Sequence, residues 1–135
     1  IVSGGLTSIT ERLKNELGLD YAFANTLEVV DGILTGRVEG PIVDRKRKAQ
    51  LLHMIAAKEG LAVRQIVAVG DGANDIDMLE TAGLGIAFNA KSGVASAADA
   101  ELNLPYLDAV LFLLGVRRED IESEGSLTQQ IPPPV

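Results

Sequence analysis

The chain of 135 residues has no cysteine and no tryptophan, a single histidine, two tyrosines and three phenylalanines. Without thiols there can be no disulfide, no thiolate nucleophile and no Cys-ligated zinc. That composition fits a cytoplasmic protein. The scarcity of aromatics leaves Leu, Ile, Val and Ala to make the core. An excess of positive charge is also lacking. The formal net charge is −7, which argues against non-specific nucleic-acid binding through clustered Lys and Arg. A small anionic ligand stays possible, because a local positive end can override the global balance. No apolar run approaches the roughly 20 residues of a membrane span. The N-terminus has no basic region followed by an apolar stretch, so no signal peptide is expected, nor any membrane partner. Its first residue is Ile rather than Met, and the chain is expected to start inside a longer translated product.

What is present is aliphatic material, 47% hydrophobic residues, enough for one domain with a real core. IVSGG reads as the tail of a buried strand running into a loop. TSITERLKNELGL reads as a helix, with Ile9, Leu13 and Leu17 at helical spacing and Gly18 as its stop. YAFAN is a short strand, and Asp31-Gly32 between two β-rich runs predicts a tight hairpin. DRKRKAQLLHMIAAKEG is a second helix, with Leu51, Met54 and Ile55 as its apolar face. QIVAVGDG is a strand of the kind buried on both faces of a parallel sheet. A short helix over NDIDMLETAG, a strand at LGIAFNA, a short helix at SGVASAADA and a final helix at YLDAVLFLLGV follow. From Arg117 the chain turns acidic and ends in QQIPPPV. Residues 117–135 are expected to be a mobile tail behind a unit spanning 1–116. The alternation predicts an α/β fold, with right-handed crossovers onto one parallel sheet, helices on its faces and a β-hairpin insertion.

The strongest chemical signal is VGDGANDIDM. In open α/β sheets ligands sit at the carboxyl ends of the strands, and SGG and GDG both fall at such ends. Gly70 and Gly72 permit close approach by a ligand. Asp71 and Asp75, four residues apart, can look into one site from a strand end and a helix start. Two hard oxygen donors without His or Cys suit Mg²⁺ better than zinc. The plainer alternatives are that Asp75 answers a helix dipole and Asn74 caps a helix. Asp77 is expected on the solvated surface. Ser3-Gly4-Gly5 can be a simple turn, or can offer a hydroxyl and N–H groups to phosphate. Lys46 and Lys48 form the basic cluster nearest to this strand, and a phosphate site rich in carboxylates needs such a cation. His53 falls on the polar side of its helix. The spacing matches neither an EF-hand, nor a dinucleotide fingerprint, nor a P-loop.

These residues resemble the haloacid-dehalogenase-like phosphatases. GDGANDIDM is similar to their fourth motif, SGG to their second and the lysine-bearing helix start to their third. Within them, IVSGG, DGILTGRVEGPIVD, Lys48-Ala49, VAVGDGANDIDML and AGLGIAFNAK follow the order of the phosphoserine phosphatase family, over roughly residues 1 to 116. The resemblance implies a partial Rossmann-like sheet of that type. It also implies a Mg²⁺-dependent hydrolase that passes the phosphoryl group of L-phosphoserine through an aspartyl-phosphate. Asp71 would be a metal ligand, and Asp75 and Lys48 catalytic, with Asp75 supporting Lys48 and the metal shell. Ser3, Gly4, Lys48 and Asn74 would bind substrate. One departure stands out. The family carries its nucleophile in D-x-D-x-T, and the only D-x-D here is Asp75-Ile76-Asp77, followed by Met78-Leu79. The segment bearing the nucleophile and the substrate-selecting cap are both missing. The chain alone is therefore expected to be inactive, and to associate or fold poorly without a companion. A non-catalytic phosphate- or partner-binding module and the phosphorylation domain of an ion pump stay open as alternatives.

Overall fold

The computed structural model describes residues 1–122. Strand β1 (Val2–Leu6) leads into helix α1 (Thr7–Leu17), which closes on Gly18 in the left-handed region. β2 (Phe23–Val30) and β3 (Ile33–Glu39) pair antiparallel, with Val30 opposite Ile33. Asp31 and Gly32 between them take φ of 51° and 79°. Positive φ at both central residues is the turn that matches the right-handed twist of a hairpin, which is why Asp-Gly announces it in the sequence. α2 (Arg45–Glu59) is capped by the Asp44 carboxylate, which accepts the Arg47 N–H at 2.8 Å.

β4 (Val67–Gly70), α3 (Ile76–Thr81), β5 (Leu84–Phe88), α4 (Ser92–Ala95) and β6 (Ala100–Leu102) complete the α/β alternation. β4, β5 and β6 pair in parallel, with Val69 opposite Ile86 and Ile86 opposite Ala100. The core gathers where α2 and α3 cover this sheet. Leu52, Ala68, Met78, Leu79 and Val94 form one buried cluster, and Leu79 and Ile86 are completely enclosed. α5 (Ala109–Leu113) and α6 (Arg118–Glu122) end the described chain.

The fold class stands, but four details differ from expectation. First, the strands form two three-stranded sheets, β1-β2-β3 and β4-β5-β6, rather than one. β1 pairs in parallel with β2, and no ladder joins β1 to β4. An apolar cleft of about 290 Å³, lined by Ile1 and Val2 on one side and Val67, Ala68 and Val69 on the other, keeps them apart. Paired strands lie about 4.8 Å apart, which leaves no room for such a cleft. Second, β4 is therefore an edge and is covered on one face only, with Ala68 buried and Val67 exposed. Third, the aliphatic stripe of α1 is open: Ile9 and Leu17 are 60% and 66% exposed, and Thr10 is its buried residue. The helix packs on β1 and β2 through its threonine side. On α2, Met54 is likewise exposed, while Leu52, Ala56 and Lys48 join Leu51 inside. Fourth, the final apolar helix covers only Ala109–Leu113 of its expected span. Of the tail expected from Arg117, Arg118–Glu122 forms a short helix, and residues 123–135 lie outside the described residues. No helix of the described residues is long and apolar enough to cross a membrane.

Candidate active site

β4 ends at Gly70, and the chain turns through Asp71 and Gly72 into a single 3₁₀ turn over Ala73–Asp75. Asp75 folds back under this turn. One of its oxygens, Oδ2, accepts the backbone N–H groups of Asp71 and Gly72, both at 3.1 Å. The other, Oδ1, accepts from Lys48 Nζ at 2.6 Å. Both partners of this ion pair are 5% exposed. Gly70 makes the fold-back possible, because a Cβ there would lie 2.5 Å from Asp75 Cβ. Asp75 thus neither caps α3 nor merely answers its dipole: it holds the strand-end turn and a buried lysine together.

Asp71 is the counterpart. It is exposed, and its carboxylate makes no hydrogen bond or ion pair among the described residues. Lys48 comes from the first turn of α2, placed by the Asp44 cap. Lys46, two residues before it, is exposed and outside the site, and His53 is exposed farther along the same helix. Asp77 departs from expectation. It pairs with Arg45 at 2.5 Å, a second tie between α2 and α3 beside the Lys48–Asp75 pair.

Ser3-Gly4-Gly5, expected to leave a strand tail as a loop, lies inside β1, which runs directly into α1, and this stretch meets the turn after β4. The Ser3 hydroxyl accepts the Gly5 N–H at 3.0 Å, closing the tight path of Ser3-Gly4-Gly5. A Cβ on Gly4 would lie 3.6 Å from Asn74 Nδ2. SGG and GDGAND, about 70 residues apart, therefore converge, as strand ends of this fold class do. Asn74 makes no side-chain cap to α3, against the simplest reading of its position. Asn25 escaped notice in the sequence. Its Nδ2 donates to the Gly4 carbonyl at 2.9 Å, and its Oδ1 accepts the Val43 N–H at 2.8 Å. It ties the Gly4 turn to the segment leading into α2. The available signal was an Asn inside a strand, where that residue type is disfavoured.

Two cavities of about 530 Å³ each open on Asp71. One is largely apolar, walled by Val69, Phe88, Leu107 and Val110; the other is lined by Gly72, Ala73, Asn89 and Lys91. No group of three or more His, Cys, Asp or Glu that could hold a metal occurs among the described residues. The fit to Mg²⁺ is thus partial. Asp71 offers one free hard oxygen donor, while the Asp75 oxygens are engaged. The further oxygens an octahedral ion needs must come from phosphate, water or residues beyond this set.

Residues 1–80 match the family model described as haloacid dehalogenase-like hydrolase. A phosphoserine phosphatase of Streptomyces coelicolor is 56% identical over 131 residues, 97% of this chain and 32% of that protein. One of Mycobacterium tuberculosis is 62% identical over 123 residues, 91% of this chain and 30% of that protein. A solved phosphoserine phosphatase, described as a phospho-aspartyl intermediate analogue, superposes with a TM-score of 0.76 at 47% identity. It covers 82% of this chain and 53% of that one. The chain spans about a third of the length of these two curated relatives.

Proposed function

The chain belongs to the haloacid dehalogenase-like hydrolase family, and on that footing we propose that it forms the phosphate- and metal-binding part of a phosphoserine phosphatase. The reaction is hydrolysis of L-phosphoserine through an aspartyl-phosphate, in a cytoplasmic enzyme. The observation that carries this reading is the division between Asp75, buried and saturated against Lys48, and Asp71, free at the strand end beside it. Asp71 would hold Mg²⁺, which when bound supplies positive charge for the transferring oxygens. Lys48 would set a fixed cation beneath the phosphate position, and Asp75 holds its ammonium in place at 2.6 Å. Ser3 and Gly4 offer a hydroxyl and main-chain groups to the phosphate from the facing strand end, and Asn74 an amide between the two.

The nucleophile has no candidate among the 135 residues, since no D-x-D-x-T occurs in them. We place it on a strand supplied from outside these residues and seated in the cleft between β1 and β4. The apolar walls of that cleft and its two unpaired strand edges support this placement. Such a strand would end level with Ser3 and Asp71.

The test is Mg²⁺-dependent phosphate release from L-phosphoserine. We expect no turnover by the 135-residue chain alone. Turnover should appear when the chain is combined with a polypeptide carrying the D-x-D-x-T strand, and should vanish in Asp71→Ala. Robust turnover by the chain alone, or an active Asp71→Ala complex, would sink this assignment.

A further inference from the structure

One cation of the crevice has no role in the chemistry above. Lys48 already faces a buried carboxylate at 2.6 Å, so much of its charge is matched before any ligand arrives. Lys91 is differently placed. It lines the cavity shared by Asp71, Gly72 and Asn89. Among the described residues it is the only basic one lining either of the two cavities that open on Asp71. Its ammonium makes no hydrogen bond or ion pair among the described residues, and the residue is exposed.

The backbone under Lys91 is held in place. Asn89 stands two residues before it in the left-handed region, at φ 47°. Its N–H donates to the Leu102 carbonyl and its side-chain amide to the Leu104 carbonyl, both at 2.8 Å. The Lys91 carbonyl accepts the N–H groups of Val94 and Ala95 at 2.9 and 3.0 Å. A non-glycine residue at positive φ is uncommon, and one tied at two points fixes the direction in which the chain leaves β5. The result is a free cation on an anchored loop, lining the same cavity as a free carboxylate.

A phosphate approaching this protein meets a net charge of −7. A single unpaired cation in a cleft offsets that repulsion locally, and Lys91 is the cation this cavity presents. We propose that Lys91 is a second anion-receiving group, which binds the phosphate dianion of a monoester, or inorganic phosphate, in the cavity beside Asp71. This rests on the reading of the crevice as a phosphate site, and it adds a second cation to that site.

The experiment is calorimetric titration of the full chain with inorganic phosphate in the presence of Mg²⁺, at low and at high ionic strength. Lys91→Ala should weaken binding roughly fivefold at low salt, and the difference should shrink as salt screens it. Lys91→Arg should keep most of the affinity. Lys46→Ala, an exposed lysine outside both cavities, should change nothing. Equal affinity of Lys91→Ala and the parent chain would overturn the proposal. So would an equal loss in Lys46→Ala, or no saturable phosphate binding by the parent. Lys91-dependent phosphate binding without any turnover in the combined enzyme would leave this proposal standing and remove the hydrolase reading. Turnover with unchanged KM in Lys91→Ala would do the reverse.

Discussion

Replacing Asp75 by Ala removes a carboxylate that is buried, paired with Lys48 at 2.6 Å and bonded to two backbone N–H groups. Leaving one partner of a buried ion pair without the other costs about 3–5 kcal/mol. The Asp71 and Gly72 N–H groups lose their acceptor as well. Each such loss is worth about 1 kcal/mol when the group stays dry. Water at the exposed Asp71 offsets part of that, so a total of about 5 kcal/mol is expected. That is a large share of the roughly 5–15 kcal/mol by which a domain is stable. Lys48→Met should cost about 3 kcal/mol, because Asp75 keeps its two N–H donors. The double variant should be less destabilised than the sum of the singles by about 2 kcal/mol, since both remove the same contact. Asp71→Ala, four residues away with no partner to lose, should stay within about 0.5 kcal/mol of the parent. Urea unfolding followed by circular dichroism at low protein concentration measures all four. The reasoning fails if Asp75→Ala falls less than about 1.5 kcal/mol below the parent and so resembles Asp71→Ala.

Other expectations concern the rest of the chain. Tyr21 should ionise above its ordinary value of 10.0, chiefly because its hydroxyl donates to Glu59, then by desolvation and the charges of Glu59 and Asp20. A phenol held up in the folded state contributes stability that is complete below the unfolded value and lost as pH rises through the folded one. Glu59→Gln should move the ultraviolet titration of Tyr21 back toward 10.0, and an unmoved curve would remove that cause. Gly32→Val puts a β-branched residue at φ 79° and should lower stability by about 1–3 kcal/mol in the same urea assay. The open face of α1 and the edges of β1 and β4 should make the chain self-associate. Light scattering should show a mass that rises with concentration and falls in Ile9→Glu/Leu17→Lys, and a concentration-independent monomer would contradict it.

Local chemistry carried most of the legible part. The Asp31-Gly32 turn, the glycine stop of α1 and the strand of β5 each declare themselves within about ten residues. The meeting of SGG with GDGAND followed from a rule about strand ends, and Gly4 beside Asn74 agrees with it. What escaped reading was set by neighbours distant in sequence. Ile9 and Leu17 have helical spacing, yet spacing cannot say whether any element covers the stripe. Asn25 matters only because Gly4 and Val43 come to it. Asp77 looked solvated until Arg45 was seen to reach it. The single sheet was expected because aliphatic runs reveal that strands exist, not which edges they share.

The contrast between Asp71 and Asp75 bears on how such a protein can change over generations. A lineage released from selection for chemistry can lose the carboxylate at position 71 and still fold, because nothing in the described structure leans on it. Position 75 has less freedom: its side chain packs against Gly70 and pairs with a buried lysine, and Asn would bring no charge to that lysine. Descendants should therefore keep the second aspartate of G-D-G-x-N-D under demands of folding alone, and the first only where a ligand requires it. A chain in which only the first has drifted would retain its shape, while drift at the second would cost it a large share of its stability.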